Sequence, residues 1–209
     1  MTEDLIQGTP EWIAARVGSL GASRVADAVA RTKSGWGTSR ANLMAEIIAE
    51  RLTGVAAENY TNAAMQWGTA MEPEARAAYE FSEDVEVTTV GLVRHPRIQG
   101  THASPDGLVG ADGLVEIKCP NTANHIDTLL GDASIAGKYV TQMQWQMACT
   151  GRRWCDFVSY DPRLPEEHRL FVQRIPRDDR HIAELERDII SFLAEVEDKL
   201  ARLQQRIAA

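Results

Sequence analysis

Between Arg40 and Leu52 the apolar residues Leu43, Ile47, Ile48 and Leu52 fall at spacings of three and four. That period predicts an amphipathic helix, and Gly54 supplies its stop. Glu11–Ala30 has the same character but is broken at Gly18-Ser19-Leu20-Gly21, where Ser23 is placed to cap the second piece. Thr61–Phe81 predicts a third helix, with Pro73 near its first turn or at a kink, and Lys138–Thr150 a fourth that ends at Gly151. Ile182, Leu185, Ile189, Leu193, Val196, Leu200, Leu203 and Ile207 draw one apolar stripe along a long C-terminal helix. We read that stripe as core packing in preference to a partner-helix face. Strands are expected at Val85–Val93, Gly100–Leu108, Leu114–Lys118, Trp154–Tyr160 and Arg169–Ile175, the second and third joined by Gly110-Ala111-Asp112-Gly113. Helices, then strands, then helix, strands and helix predict one α/β domain over residues 1–209, with a mixed central β-sheet flanked by helices.

Composition narrows the class. Hydrophobic residues make up 44% and charged residues 25%, the proportions of a globular chain. No apolar run approaches membrane-spanning length, and Met1-Thr2-Glu3-Asp4 is unlike a secretory signal. The three cysteines, Cys119, Cys149 and Cys155, are too few and too scattered for a zinc ribbon. A reducing cytoplasm is the expected compartment. The net charge of −8 argues against a protein that coats nucleic acid by charge alone. It leaves room for a nuclease, which must gather carboxylates around metal ions.

Candidate chemistry concentrates between Ser104 and Pro120. Asp106 lies in a turn-like Ser-Pro-Asp-Gly, and ten residues later a strand carries Glu116 and Lys118. Side chains alternate along a strand, so Glu116 and Lys118 share one face while Val115 and Ile117 share the other. A hairpin-length connection brings Asp106 beside Glu116. Neighbouring carboxylates resist ionising together, and a divalent cation between them removes the conflict. Oxygen donors favour Mg²⁺ or Mn²⁺ over zinc. With a lysine on the same face, the set suits phosphodiester hydrolysis. The Thr32–Ser39 loop has no G-K-[ST], so it is not an ATPase-type phosphate loop. The five histidines are scattered; His102, two residues before Ser104, could line the cleft, but a local hydrogen bond is the preferred reading.

Ser104-Pro105-Asp106-Gly107 followed by Glu116-Ile117-Lys118-Cys119-Pro120 resembles the PD-(D/E)xK nuclease signature, in particular its lambda-exonuclease-like viral recombinase branch. Four further blocks carry the resemblance in order: Trp12–Gly18 with Ala22-Ser23, Trp67–Arg76, Tyr139–Gln146, and Tyr160-Asp161-Pro162-Arg163. The resemblance implies a restriction-endonuclease-like core. It implies metal binding by Asp106, Glu116 and the Ile117 carbonyl, with Lys118 positioning the attacking water. Glu72 would complete the site, although Glu74 lies close on the same helix. Gln142 would lie beside the lysine. Gln144 is two residues away, so only one of the pair faces the site. Arg16, Ser23 and Ser104 would hold a 5′-phosphate.

The activity so implied is Mg²⁺-dependent 5′→3′ digestion of linear double-stranded DNA, Mn²⁺ substituting. It would release mononucleotides and leave 3′ single-stranded tails. The implied partners are 5′-phosphorylated DNA ends, two further copies in a homotrimeric ring, and a phage single-strand-annealing protein. The implied setting is the cytoplasm of a bacterial host, with phage or prophage origin. The competing expectations are a restriction- or repair-type endonuclease and an inactive DNA-end-binding module.

Overall fold

The computed structural model describes residues 2–3, 5–33, 35–57, 63–131 and 135–208. In chain order the elements are β1 (Thr2–Glu3), α1 (Pro10–Arg16), β2 (Leu20–Gly21), a 3₁₀ turn (Ala22–Arg24), α2 (Val25–Ala28), β3 (Arg31–Thr32), β4 (Gly35–Trp36) and α3 (Thr38–Thr53). Then come α4 (Ala63–Glu83), β5 (Val87–Thr88), β6 (Leu92–Arg94), β7 (Thr101–Ala103), β8 (Gly107–Val109), β9 (Gly113–Lys118) and α5 (Thr122–Leu130). The chain finishes with α6 (Gly137–Thr150), β10 (Trp154–Tyr160), a second 3₁₀ turn (Glu166–His168), β11 (Leu170–Pro176) and α7 (Asp179–Ala208).

A mixed sheet in the order β11-β10-β9-β8-β5 forms the centre. Within this sheet β9 and β10 run parallel, with Glu116 opposite Phe157, and the α5–α6 segment makes the crossover between them. A second sheet, β1-β6-β7-β2, continues from it through the short turn between β7 and β8. Val115 and Ile117 of β9 pack with Val109, Val158 and Tyr160 against Ala75 and Tyr79 of α4. On the opposite face Leu114 and Phe157 join the larger core, which is built from α2, α3, α6 and α7 around Trp145, Ile189 and Phe192. The alternation expected along β9 is therefore present, and both faces of the sheet are covered. Among the described residues no helix is long and apolar enough to cross a membrane.

The C-terminal stripe is core: Ile182, Leu185, Ile189, Leu193, Val196 and Leu200 are buried, while Leu203 is exposed. The side chain of Ile207 lies outside the described residues. Several expected boundaries move, each for a local reason. Ser23 does not cap a helix; it sits inside the 3₁₀ turn. The residue that caps α1 is Thr9, whose hydroxyl accepts from the Trp12 amide at 3.3 Å. Pro73 lies mid-way along α4, and Thr61 and Asn62, the expected start of that helix, lie outside the described residues. The expected strand Val85–Val93 is two strands in different sheets. It breaks at Gly91, where a Cβ would lie 1.9 Å from the Leu5 carbonyl oxygen. Gly100–Leu108 likewise divides at Ser104-Pro105-Asp106, where Pro105 has no N–H to give a ladder. The Thr32–Ser39 loop holds part of the β3–β4 hairpin, with Ser34 outside the described residues.

Phe192 is fully buried among α2, α3 and α6, so its truncation tests whether α7 is structural. Phe192→Ala is expected to lower unfolding free energy by about 3–5 kcal/mol, read from urea denaturation. A loss below about 1 kcal/mol would return the stripe to an interface role.

Candidate active site

Glu116 organises this region. It is fully buried on the α6-facing side of β9. Its Oε1 accepts from Gln142 Nε2 at 2.7 Å and its Oε2 from Gln146 Nε2 at 2.6 Å. The Lys118 ammonium closes on Oε1 as well. The two glutamines are four residues apart on α6 and so share a face. Gln144 turns away: it bonds the Pro176 carbonyl and receives the Asp178 amide, both at 2.9 Å. Of the expected pair, Gln142 is thus the one beside the lysine and Gln144 is structural. Gln146 is a further residue whose spacing from Gln142 carried the signal.

Asp106 reaches this cluster across the β8–β9 hairpin. Its Oδ2 accepts from the Ile117 amide at 2.6 Å. Gly107, next to Asp106, lets β8 sit close to β5, since a Cβ there would lie 2.0 Å from Val87 Cγ1. Burial, and next the neighbouring Glu116 charge, push the Asp106 carboxyl well above the usual carboxylate range. Burial alone would lower the Lys118 pKa, but the Glu116 and Asp106 carboxylates outweigh it and raise it. Lys118 therefore remains a charged donor.

Glu72 faces the same cleft from α4, paired with Arg76 at 2.7 Å. Glu74 is held instead by the Tyr160 hydroxyl at 2.8 Å, which separates the two glutamates that the sequence left open. The cleft, a cavity of about 780 Å³, is also lined by Ile117, Trp67, Tyr139 and Arg163. Among the described residues no group of three or more His, Cys, Asp or Glu is arranged to hold a metal ion. Of the expected oxygen donors, Asp106 and Ile117 line the cleft, while both Glu116 oxygens are bonded by Gln142, Gln146 and Lys118. Such an oxygen set suits a hard cation that keeps much of its water.

A smaller cavity, about 110 Å³, lies on the other side of Gln142 and is lined by Arg16, Ser23, Ser104, His102 and Trp12. All three residues expected to hold a phosphate are therefore together. The Arg16 guanidinium lies 3.9 Å from the centre of the Trp12 ring, one helical turn earlier. Trp12 Nε1 donates to the Gly91 carbonyl at 2.9 Å and to Ser104 Oγ at 3.2 Å, so one indole orients two of the three, Arg16 and Ser104. Arg16 makes no ion pair with a carboxylate among the described residues. Burial lowers its pKa, and Glu50 only partly offsets this. Trp12 belongs to the Trp12–Gly18 block, and its position four residues before Arg16 is the sequence sign of this stacking.

Comparison with known proteins shows the family and the fold. The family model described as a YqaJ-like viral recombinase domain matches residues 11–153. No curated protein matches. The crystal structure of an alkaline exonuclease, LHK-Exo, from Laribacter hongkongensis is 54% identical, with a TM-score of 0.89 over 96% of this chain and 98% of that one. The same protein in complex with dAMP gives the same values. A phage-related exonuclease from Haemophilus somnus 129PT is 17% identical, with a TM-score of 0.68 over 90% of this chain and 96% of that one, and shares the fold.

Because Asp106 binds its proton more tightly in the folded chain than in the unfolded one, it costs stability as pH rises above the unfolded value, near 4, towards and beyond the folded one. Asp106→Asn keeps an acceptor for the Ile117 amide and removes that cost. In the presence of chelator at about pH 8 it is expected to raise the melting midpoint by about 2–5 °C, an advantage that shrinks as pH falls towards about 4. A lowered midpoint at about pH 8 would contradict the repulsion.

Proposed function

The chain belongs to the YqaJ-like viral recombinase family, and from that premise we propose that it is a Mg²⁺-dependent 5′→3′ exonuclease acting on ends of double-stranded DNA. One observation carries the reading. A carboxylate–lysine cluster and an arginine that makes no ion pair among the described residues face each other across a single side chain, Gln142.

The terminal 5′-phosphate would lie against the Arg16 guanidinium and the Ser23 and Ser104 hydroxyls, which supply charge and hydrogen-bond donors for it. The next phosphodiester would then fall at Asp106, Glu116 and Lys118. A Mg²⁺ ion held by Asp106, Glu116 and the Ile117 carbonyl, with Mn²⁺ as substitute, would supply charge neutralisation and a more acidic water. Lys118, charged and fixed by Glu116, orients that water and offsets charge on the attacked phosphate. Water adds to phosphorus, the bond to the 3′ oxygen breaks, and the product is a 5′-mononucleotide with a free 3′-hydroxyl. Gln142 and Gln146 hold Glu116 in place, and Glu72 completes the cleft wall. Anchoring one phosphate to present the next is catalysis by proximity. It also explains polarity, since only a 5′ end offers such a phosphate.

Strand removal from the 5′ end leaves a 3′ tail, the substrate a phage single-strand-annealing protein requires, and we propose such a protein as partner. A net charge of −8 gives little general hold on DNA, so a closed homotrimeric ring around the duplex is the proposed source of repeated turnover. The phage-recombinase setting is a bacterial cytoplasm.

The test uses linear duplex labelled at either end, with and without Mg²⁺. Loss of the 5′-ended strand with Mg²⁺ is expected, and cutting of covalently closed circles would instead favour an endonuclease. Asp106→Ala, Glu116→Ala and Lys118→Ala are each expected to lower the rate by about 1000-fold or more while remaining folded. Near-wild-type activity in any of them would remove that residue from the mechanism. Sedimentation equilibrium is expected to give three times the chain mass, and a monomer at working concentration would defeat the ring.

A further inference from the structure

His102 is placed where no role in the reaction has yet been assigned. It is 2% exposed, on β7, and faces the small cavity beside Arg16. Arg16 Nε lies 3.2 Å from His102 Nε2, and Ser19 Oγ lies 2.9 Å from His102 Nδ1. A guanidinium N–H can only donate, so Nε2 must accept. The ring proton is therefore on Nδ1 and is donated to the Ser19 hydroxyl. An imidazolium would set two donors against each other. Burial, then the Arg16 and Arg94 charges, push the ring's pKa down to about 3.

A Cβ at Gly21 would approach His102 Nε2 to 3.2 Å, so the glycine spares the imidazole a tight contact on the side it shares with Arg16. Trp12 covers one face of Arg16. The neighbouring carboxylate, Glu50, is occupied by the amides of Gly18 at 2.7 Å and Ala57 at 2.9 Å.

We propose that His102 is a positioning residue for the 5′-phosphate, a neutral acceptor that fixes Arg16 through Nε and leaves its two terminal nitrogens for the ligand. A carboxylate in the same place would orient the arginine as well but would neutralise it and repel the phosphate. A neutral imidazole orients without competing. This inference rests on the phosphate-pocket reading, and its test separates the two.

Initial rates are compared on 5′-phosphorylated and 5′-hydroxyl duplexes, with KM and kcat resolved for each. In His102→Leu the rate ratio between the two ends is expected to fall by about tenfold or more, carried mainly by KM for the phosphorylated end. His102→Gln, which restores an acceptor oxygen, is expected to keep the ratio within about threefold of wild type. A general packing defect would lower both rates together and would not be rescued by glutamine. If wild type itself fails to distinguish the ends, the pocket reading falls. If wild type distinguishes them and a folded His102→Leu does so equally, the positioning role falls alone. Should His102→Leu not fold, ¹⁵N imidazole spectra of the wild-type protein decide. The Nδ1–H neutral tautomer is expected from about pH 5.5 to about pH 8, and an Nε2–H tautomer or a protonated ring in that range would overturn the proposal.

Discussion

A carboxylate with no exposed surface, Glu116, sets the terms for the centre of this molecule. A buried charge left unpaired costs several kcal/mol, so the fold must bring donors to it. Two glutamines one helical turn apart on α6 and a lysine two residues along the same strand answer that need. The requirement fixes the register of α6 on the sheet. It also explains why polar side chains lie on the inner face of a helix whose other neighbours, Met143, Trp145 and Met147, are core. The crossover joining the parallel pair β9 and β10 delivers that helix to the face carrying Glu116.

Arg16 presents the opposite situation. Arg24, Arg40, Arg163 and Arg174 each close on a carboxylate, at 2.6–3.0 Å. Arg16 has a tryptophan face and a neutral histidine instead. A half-buried cation held by groups that cannot neutralise it retains its attraction for an anion from outside the chain. Gln142 lines the arginine's cavity while bonding Glu116, so the two charged centres are mechanically joined through one side chain. On the proposed reading, that shared residue sets the distance between the phosphate that is held and the phosphate that is cut.

Much of this was legible in the sequence because chemistry and periodicity coincided there. Glu116 and Lys118 alternate with Val115 and Ile117, and that pattern fixes both strand and face. The long stripe of α7 names its own buried side. Gln146 lies in the Tyr139–Gln146 block at a helical spacing from Gln142, but the partner that spacing serves, Glu116, lies 30 positions away and is not legible locally. The local hydrogen bond expected of His102 is absent among the described residues; it lines the small cavity and bonds Arg16 and Ser19, 86 and 83 residues away, pairings no local pattern displays. Ser23 shows the reverse. Its type fits a helix cap, but the chain enters β2 and a 3₁₀ turn there, drawn into pairing with β7. The break at Gly91 depends on the Leu5 backbone, a contact no local pattern displays.

The central claim is that an anchored phosphate and a hydrolytic cluster act one nucleotide apart on the same strand. Chromatographic sizing of the earliest products from a 5′-phosphorylated duplex tests it directly. The account predicts 5′-mononucleotides as the sole product from the first turnovers, each with a free 3′-hydroxyl. Dinucleotides or longer fragments at early times, or products carrying a 3′-phosphate, would contradict it.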